Sequence, residues 1–522
     1  MKFEDFSELK KATKRSQREF FRFGIGLLFV VSIMIYTTLG IGLSSPQGMM
    51  LVVAAMIGGY MAMNIGANDV ANNVGPAVGS KSITMAGAIV IAAIFEMLGA
   101  LIAGGDVVST IRGGIIDTSL VPDSNHFIWL MTASLLAGAL WLNFATAVGA
   151  PVSTTHSIVG AVLGAGIAAG GLGAADWTVV GRIAASWVIS PLLGGLIAAG
   201  FLFWIKRAIT YKPDMVQAAI RTVPVLIGIM AAAFSTYLML KGLKKIMPVS
   251  FTVAIGVGLL VGVAVWIWLR ALISRRATML TNTKETINAL FTVPLILAAA
   301  LLSFAHGAND VANAIGPLAA IVDTVLSGGV SAKAAVPTWV LLVGAIGIAI
   351  GLALYGPKLI RTVGGEITDL DQMRAFCIAM AAALTVIVAS QLGLPVSSTH
   401  IAIGGVFGVG FLRERLKSNF SSMIEEIRMH HMGADKEIVE SYLREFNKAD
   451  MRTKKLMLSQ LKARSAQVSL SKKEYKKIKK VYRGELVKRS IVYKIIGAWL
   501  ITVPASALMA AGIYELIVAI SP

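Results

Sequence analysis

The chain has 522 residues, of which 56% are hydrophobic and 14% are charged, and its formal net charge is +19. Because soluble globular domains usually carry about 25% charged residues, this composition excludes a soluble fold and predicts a polytopic membrane protein. The single cysteine, Cys377, excludes an intrachain disulfide. A charged stretch over 1–22 precedes the first apolar run, and no small-residue cleavage pattern follows, so we expect no cleavable signal peptide.

Long apolar segments follow one another along the chain, and a helix needs about 20 such residues to span about 30 Å of hydrocarbon. They lie near 23–43, 49–79, 83–104, 127–149, 151–170, 177–205, 222–240, 248–271, 287–321, 337–356, 373–393, 395–412 and 491–517. Glycine and alanine are frequent in them, and strand-like alternation is absent. We therefore predict an all-α polytopic membrane protein built from packed helices.

An eleven-residue motif occurs twice, at 66–76 and at 307–317, with nine of the eleven positions identical. A second motif, Pro-Val-Ser-Ser/Thr-Thr-His, follows each copy. It begins at Pro151, 85 residues after the first copy starts, and at Pro395, 88 residues after the second copy starts. The chain therefore contains two copies of one unit, each with an Asn-Asp-Asn cluster and a hydroxyl-rich cluster.

Basic residues at the ends of the apolar segments predict that the two units have opposite orientations. Lys206 and Arg207 mark the inner end of the first unit, and Arg275 places the start of the second unit on that same side. Such inverted repeats, with interrupted helices or re-entrant hairpins at Pro151 and Pro395, are typical of secondary transporters. The predicted order is a cytoplasmic segment (1–22), an extra N-terminal helix (23–43), the first inverted repeat (49–205), two linking helices (222–271), the second inverted repeat (287–412), a small cytoplasmic helical insertion (413–490) and the final helix of the second repeat (491–517).

The predicted insertion at 413–490 has no counterpart in the first unit and carries much of the positive charge. Between 413 and 494 there are 22 Lys+Arg and 10 Asp+Glu, a net charge of 22 − 10 = +12. The positive-inside rule explains this excess by a cytoplasmic location, with no need for a nucleic acid partner. Helical spacing predicts amphipathic helices near lipid headgroups, with regulation or partner binding as the alternative. The residues concerned are Ile438, Tyr442, Phe446, Tyr475, Ile478 and Tyr482, with a capping box at Ser471 and Glu474.

Two carboxylates, Asp69 and Asp310, lie inside otherwise apolar segments, where an ionised carboxylate costs at least about 2.5–3.5 kcal/mol. Neither eleven-residue motif contains Lys or Arg, so we expect an imported cation to supply the opposite charge. Carboxylate and amide oxygens are hard donors, and the glycines and prolines of the motif can interrupt the helix and free backbone carbonyls. The candidate residues are Asn68, Asp69, Asn72, Asn309, Asp310 and Asn313. The alternative is that these side chains only join packed helices.

The hydroxyl-rich clusters each follow a Gly-x-Pro break, so they fall in the first turn of a new helix. Free N–H groups, hydroxyl donors and the positive end of the helix dipole together can hold an anion. The candidate residues are Ser153, Thr154, Thr155, Ser397, Ser398 and Thr399. The alternative is hydrogen bonding between helices, worth about 0.6 kcal/mol for each bond. We do not expect His156 and His400 to be ligands.

An enzyme is not expected, because a nucleophilic triad has one nucleophile and one base, whereas every candidate here is duplicated. No Gly-x-Ser-x-Gly elbow, His-Glu-x-x-His or Walker loop is present, which also removes ATP-driven transport. A passive anion channel is the closer alternative. Two buried carboxylates with two closed hydroxyl clusters fit a binding site better than a pore.

These motifs resemble those of the inorganic phosphate transporter (PiT) family, whose signature Gly-Ala-Asn-Asp-Val-Ala-Asn occurs once in each half. Both copies are intact here, at 66–72 and 307–313, and the Pro-Val-Ser-Ser/Thr-Thr-His segments match as well. The resemblance covers 49–205, 287–412 and 491–517. It implies an ion-coupled phosphate symporter, usually driven by Na⁺ or H⁺, that works as a homodimer by alternating access. The family's large hydrophilic loop often lies between the halves, so nothing known of it transfers to this chain.

Carried over by position, the resemblance implies separate roles for the candidate residues. It implies cation ligands at Asp69, Asn72, Asp310 and Asn313. It implies phosphate ligands at Asn68, Ser153, Thr154, Thr155, Asn309, Ser397, Ser398 and Thr399. The division of the asparagines between cation and phosphate is our own hypothesis.

The predicted function is import of phosphate with Na⁺ across the plasma (inner) membrane, without an organic cofactor. Two carboxylates and a divalent anion carry a charge of about −4, which is very costly to desolvate without cations or protons. H⁺ coupling, a metal–phosphate complex, sulfate as the substrate and a passive channel remain alternatives. We expect the N-terminus and 413–490 in the cytoplasm and the C-terminus outside. Glu96 has no carboxylate counterpart in the second unit, so it either binds an asymmetric cation or proton or pairs within the bundle.

Overall fold

α-Helices form almost all of the computed structural model. The structure describes 3–41, 46–105, 107–150, 152–243, 247–276, 280–329, 336–365, 370–430 and 489–521. Within these residues no β-strand forms, and a single β-bridge joins Ile116 to Ala175. The predicted all-α architecture is therefore confirmed.

The first half of the chain forms eight helices. They are α1 (Phe3–Ile41), α2 (Pro46–Asn68), α3 (Val70–Gly79), α4 (Met85–Ala103), α5 (Val108–Gly113), α6 (Ser124–Val148), α7 (Thr154–Gly170) and α8 (Trp177–Ile205). Short 3₁₀ turns lie at Thr118–Leu120 and Leu172–Ala174, and a π-helical segment, Lys206–Thr210, continues from α8.

The second half forms nine further helices within the described ranges. They are α9 (Met215–Lys241), α10 (Phe251–Arg276), α11 (Lys284–Ala289), α12 (Thr292–Asp310), α13 (Ala312–Ser327), α14 (Thr338–Gly365), α15 (Gln372–Gln391), α16 (Ser398–His430) and α17 (Arg489–Ile520). Because α16 continues to His430, the start of the predicted insertion extends this helix. The amphipathic helices predicted around Ile438 to Phe446 and Ser471 to Tyr482 lie outside the described residues.

Eleven segments of the described chain are long and apolar enough to cross a membrane, so the protein is a multi-pass membrane protein. The predicted segment 151–170 corresponds to α7, which has only 17 residues and is too short to be one of the eleven. The segment 395–412 falls in α16, which is also not among them. Both helices that begin with a hydroxyl cluster thus differ from the ordinary spans.

The helices of the two halves exchange partners. In the first half, α2 packs on α14, and in the second half α12 packs on α4. In the same way, α7 and α8 of the first half pack on α17 and α16 of the second half, respectively. The motif helices also cross, since α2 contacts α13 and α3 contacts α12. Neither half therefore buries its apolar surface alone, and the two motifs meet at the centre of the bundle.

Glycines at the start of both motifs allow this close packing. A Cβ atom on Gly66 would overlap the carbonyl oxygen of Ile348 in α14, and one on Gly307 would overlap that of Glu96 in α4. A backbone oxygen cannot move aside as the end of a flexible side chain can. Small residues that let two backbones approach closely are a main source of helix association in membranes.

We expect Gly66→Val and Gly307→Val each to destabilise the folded protein by on the order of 1–3 kcal/mol or more, because the added side chain overpacks the helix contact. The measurement is the temperature at which half of the detergent-solubilised protein loses its monodisperse size-exclusion peak. Gly200→Val in α8 is the control, since a Cβ on Gly200 meets no atom within 4 Å. Equal midpoints for Gly307→Val and Gly200→Val would contradict the packing role.

Candidate functional site

Each motif interrupts a long helix at its acidic residue. The first interruption lies at Asp69, between α2 and α3, and the second at Val311, directly after Asp310. Just after each interruption, a backbone N–H donates to the carbonyl three residues earlier. The Asn72 N–H donates to the Asp69 carbonyl at 2.9 Å, and the Ala314 N–H donates to the Val311 carbonyl at 3.1 Å. The helix is thus tightened locally at the carboxylates, whereas the sequence predicts the interruption at the glycines and prolines of the motif.

The prolines of the motifs lie inside helices, at Pro76 in α3 and Pro317 in α13. Proline has no N–H, so the carbonyls of Asn72 and Asn313, four residues earlier, lack their usual helical donor. Each motif therefore leaves one backbone oxygen available next to its second asparagine side chain. The sequence predicts that a helix break at these prolines frees the carbonyls, but the helix continues through each proline and is not broken there.

The two hydroxyl clusters start their helices in the same way. Gly149 ends α6 with a φ of 77°, and Gly393 follows α15 with a φ of 66°, a left-handed conformation that favours glycine. After these turns, the Ser153 hydroxyl accepts a hydrogen bond from the N–H three residues later at 3.1 Å, and Ser397 does so at 3.2 Å. The two serines are N-caps, and the hydroxyl residues behind them occupy first turns, as the sequence predicts.

At the centre, hydroxyls from both halves meet the carboxylates. The Thr154 hydroxyl donates to Oδ2 of Asp69 at 2.6 Å, and the Thr399 hydroxyl donates to Oδ1 of the same carboxylate at 2.9 Å. The Ser398 hydroxyl donates to Oδ2 of Asp310 at 2.7 Å. Because Thr399 belongs to the second half and Asp69 to the first, this contact joins the halves.

The asparagines complete the exchange between halves. The Asn72 amide donates to the Thr399 hydroxyl at 2.8 Å. The Asn313 amide donates to the hydroxyls of Thr154 and Thr155 at 3.1 and 3.2 Å. Thr155 in turn donates to the carbonyl oxygen of Val396 at 3.1 Å. Each motif therefore contacts the hydroxyl cluster of the other half, and the two copies form one cluster.

Two buried carboxylates face each other in this cluster. Asp69 and Asp310 are 1% and 0% exposed, and a carboxylate oxygen from each lies within 4.8 Å of the other. At 4.8 Å, two like charges repel by about 3.5 kcal/mol at an effective dielectric constant of about 20. Hydroxyl donors reduce this cost without removing it, so the cluster favours a cation or a proton.

Several buried oxygens of the cluster have no hydrogen-bond partner, although buried acceptors are usually satisfied. Among the described residues of the two motifs they are Oδ1 of Asn72, Asn73, Asn309, Asp310 and Asn313. All are amide or carboxylate oxygens, the donor type that hard cations prefer. The residues present therefore suit a small hard cation such as Na⁺.

Asn68 and Asn309 lie at the edge of the cluster and hold the segments that precede the hydroxyl residues. The Asn309 amide donates to the hydroxyl of Ser390 in α15 at 3.0 Å. Asn68 donates to the hydroxyl of Thr146 near the end of α6 at 3.0 Å. In the α6–α7 connection it donates to the Ala150 carbonyl at 3.2 Å and accepts from the Val152 N–H at 3.2 Å. Their side chains thus position the two connections.

His156 and His400 support the cluster from the side. The His156 ring lies against Trp187 with centroids 3.8 Å apart, and the His400 ring stacks on Trp499 at 3.6 Å. The two imidazoles also meet each other edge to face at 4.2 Å. This paired stack joins the first turns of α7 and α16.

Three buried residues of the cluster, His306, Glu96 and Asn73, have no counterpart of the same type in the other copy of the repeat. Sequence reasoning missed His306 and Asn73. His306 lies between two carboxylates, with Nδ1 2.7 Å from Oε2 of Glu96 and Nε2 2.7 Å from Oδ2 of Asp310. The Asn73 amide donates to Oε1 of Glu96 at 2.8 Å. Glu96 therefore pairs within the bundle and is also connected through His306 to the site. A comparison of the two copies could have identified both residues. His306 aligns with Ile65 of the first copy, and Asn73 aligns with Ala314 of the second copy.

A cavity of about 760 Å³ between α1, α2, α6 and α14 approaches the cluster from one side. Its lining includes Asn64, Ala67, Thr146, Tyr355 and Lys358. Asn68 separates Ala67 of this lining from Asp69 in the sequence, and its amide donates to the Thr146 hydroxyl of the lining. The central side chains are almost fully buried, so the cluster is closed in this conformation.

We expect His306→Leu to destabilise the protein by about 3–5 kcal/mol, because it leaves Glu96 and Asp310 buried without their shared partner. Adding Glu96→Gln should recover part of the loss. The measurement is the thermal midpoint of each variant and of the double variant. His126→Leu is the control, since His126 pairs with Asp123 at a partly exposed position, where such pairs contribute about 0–1 kcal/mol. Equal losses for both histidines would argue against a buried charge link.

Comparisons with known proteins agree with this architecture. A model of the phosphate transporter family matches residues 65–510. A Helicobacter pylori (strain J99) protein named "Putative phosphate permease" is 53% identical over 521 residues, covering 98% of both chains. The chloroplastic inorganic phosphate transporter 2-1 of Arabidopsis thaliana is 36% identical over 405 residues, covering 72% of this chain and 68% of its own.

A solved structure described as the sodium-dependent phosphate transporter superposes with a TM-score of 0.73 at 29% identity. The match covers 91% of this chain and 100% of that one. The similarity thus spans both motifs, both hydroxyl clusters and the helices that hold them. The chain belongs to the phosphate transporter family, a family of transporters and not of enzymes.

Proposed function

We propose that this protein is a secondary active symporter that imports inorganic phosphate together with Na⁺ by alternating access. The observation that carries the proposal is the single buried cluster in which Asp69 and Asp310 meet hydroxyl donors from both halves. The sodium dependence named for the similar solved structure supports Na⁺ as the coupling ion. The name of the Helicobacter pylori relative supports phosphate as the substrate.

The cation is proposed to lie among the oxygens that lack partners. Asp69, Asn72, Asp310 and Asn313 supply two carboxylates and two amide oxygens, three of them without a hydrogen bond at Oδ1. A cation placed there converts the repulsion between the carboxylates into attraction. It also neutralises the region before a divalent anion enters, which is why phosphate binding depends on the cation.

Phosphate is proposed to take over the hydroxyl donors that now bond to the carboxylates. Its proposed ligands are Asn68, Ser153, Thr154, Thr155, Asn309, Ser397, Ser398 and Thr399. The first turns of α7 and α16 add free N–H groups and the positive ends of two helix dipoles. When cations satisfy the carboxylates, the hydroxyls are released to donate to phosphate oxygens.

Alternating access is proposed to arise from two inverted repeats that share this cluster. The exchanged packing of α2 with α14 and of α12 with α4 supports an internal two-fold relation. Bonds such as Thr399 to Asp69 cross between the halves, so a change in their relative position changes the site directly. We place the N-terminus and 413–490 in the cytoplasm, the C-terminus outside and the protein in the inner membrane as a homodimer.

H⁺ coupling is the second candidate, and His306 favours it. An imidazole that touches Glu96 and Asp310 at 2.7 Å on opposite sides can carry a proton between them. Protonation of a carboxylate would reduce the repulsion as a cation does. A proton would in that case replace one Na⁺, with the rest of the site unchanged.

Replacing either carboxylate should abolish coupled uptake while the protein stays folded. We expect Asp69→Asn and Asp310→Asn to lower uptake of labelled phosphate into proteoliposomes at least about 100-fold, equivalent to about 2.8 kcal/mol. Glu515→Gln in α17 is the matched control, because Glu515 is exposed and lies outside the cluster. Full uptake by either aspartate variant would exclude the proposed cation site.

Separate gradients should identify the coupling ion and the substrate. With Na⁺ outside and equal pH on both sides, we expect labelled phosphate to accumulate, and with a pH gradient alone we expect no accumulation. A tenfold excess of unlabelled phosphate should suppress uptake more strongly than the same excess of sulfate. Accumulation driven only by the pH gradient would support H⁺ coupling, and equilibration without accumulation would support a channel.

A further inference from the structure

A second polar cavity lies where the end of α8 meets the starts of α11 and α15, away from the carboxylate cluster. Its volume is about 160 Å³. The polar side chains that line it are Lys206, Thr210, Lys284, Asn288, Asp371 and Arg374. Three are cations and one is an anion, so the lining carries a net charge of 3 − 1 = +2. Such a cavity favours a small anion.

The single acidic group of this cavity is already engaged. One carboxylate oxygen of Asp371 lies 3.2 Å from Nη2 of Arg374. The other accepts a hydrogen bond from the Arg374 N–H at 2.9 Å and so caps α15. Asp371 is thus committed to the start of its helix, and the charges of Lys206 and Lys284 still exceed it.

Two buried polar atoms in the same cavity have no hydrogen-bond partner in the described chain. They are the Thr210 hydroxyl and the Asn288 side-chain oxygen. Thr210 also ends the π-helical segment that begins at Lys206, and π-helical turns in α-helices occur frequently at functional sites. Unpartnered polar atoms beside excess positive charge indicate a ligand with both anionic oxygens and hydrogen-bonding groups.

We propose that this cavity is a regulatory site for inorganic phosphate, separate from the transport site; the proposal rests on phosphate being the transported substrate. Lys206, Lys284 and Arg374 bind its charged oxygens, and the Thr210 hydroxyl donates to another oxygen. At neutral pH phosphate retains at least one proton, which donates to the Asn288 oxygen. Sulfate has no such proton, and its oxygens would face the Asn288 oxygen without a hydrogen bond. The site is therefore selective for phosphate over sulfate.

The position of the cavity connects it to transport. Lys206 and Thr210 end the last helix of the first half, whereas Lys284 and Asn288 precede α12, which ends at Asp310. Arg374 lies in the first turn of α15. The same helix carries Ser390, whose hydroxyl accepts a hydrogen bond from the Asn309 amide. A phosphate bound between these ends holds the two halves in one relative position. Its basic residues place it on the cytoplasmic side, so phosphate that has accumulated inside slows further import.

Equilibrium binding of labelled phosphate to the full-length protein tests the site directly. The protein carries Asp69→Asn to disable the transport site and is held in nanodiscs of neutral lipid. We expect one phosphate to remain bound per chain, and the added Lys206→Gln or Asn288→Leu to weaken binding at least tenfold. Lys212→Gln, a nearby exposed lysine outside the cavity, should leave binding unchanged.

Three outcomes would overturn the proposal. They are no binding to the Asp69→Asn protein, equal effects of Lys206→Gln and Lys212→Gln, and displacement by sulfate as effective as that by phosphate. Nanodiscs that contain phosphatidic acid provide a further arm. If that lipid abolishes binding of labelled phosphate, a lipid headgroup and not free phosphate occupies the cavity.

Uptake separates failure of this site from failure of the proposed function. Proteoliposomes loaded with phosphate should import more slowly than empty ones, and Lys206→Gln should remove the difference without changing uptake into empty vesicles. If loaded and empty vesicles import phosphate equally, the regulatory site is excluded while the transport function stands. If the unmodified chain does not import phosphate at all, the transport function itself fails. Thermal midpoints confirm that each variant is folded.

Discussion

The repulsion between Asp69 and Asp310 is the constraint on which the rest of the bundle depends. Two carboxylates within 4.8 Å of each other, both almost fully buried, are tolerated only with compensation. The protein supplies hydroxyl donors from the first turns of two helices and an imidazole beside Asp310. These groups reduce the repulsion without cancelling two negative charges, so the site has a built-in requirement for cations or protons.

The two-fold pattern and its exception have different physical origins. Carboxylate, asparagine and hydroxyl residues are supplied by both halves, so the same residue types line the cluster from two sides. His306, Glu96 and Asn73 occur on one side only, and all three touch. His306 contacts Asp310 but has no counterpart beside Asp69, where Ile65 occupies the equivalent position, so the surroundings of the two carboxylates differ.

Long helices connect this cluster to the edges of the bundle. α11 lines the small basic cavity, and α12, which follows it, ends at Asp310. α15 starts at the same cavity and carries Ser390, whose hydroxyl accepts a hydrogen bond from Asn309. Packed helices have low compressibility and transmit strain, so a ligand at the helix starts can act on the cluster at the helix ends. The proposed regulation at the helix starts and the proposed transport at the helix ends can thus share one movement.

The sequence by itself determined the all-α membrane architecture, the duplicated motifs and the first-turn placement of Ser153 to Thr155 and Ser397 to Thr399, because these follow from composition, repetition and local capping. Only the tertiary structure decided which residues meet. The contacts of Thr399 with Asp69 and of Asn313 with Thr154 join residues more than 150 positions apart, and no local rule encodes them. For the same reason the role of His306, which directly precedes the second motif, became clear only when packing placed it between Glu96 and Asp310.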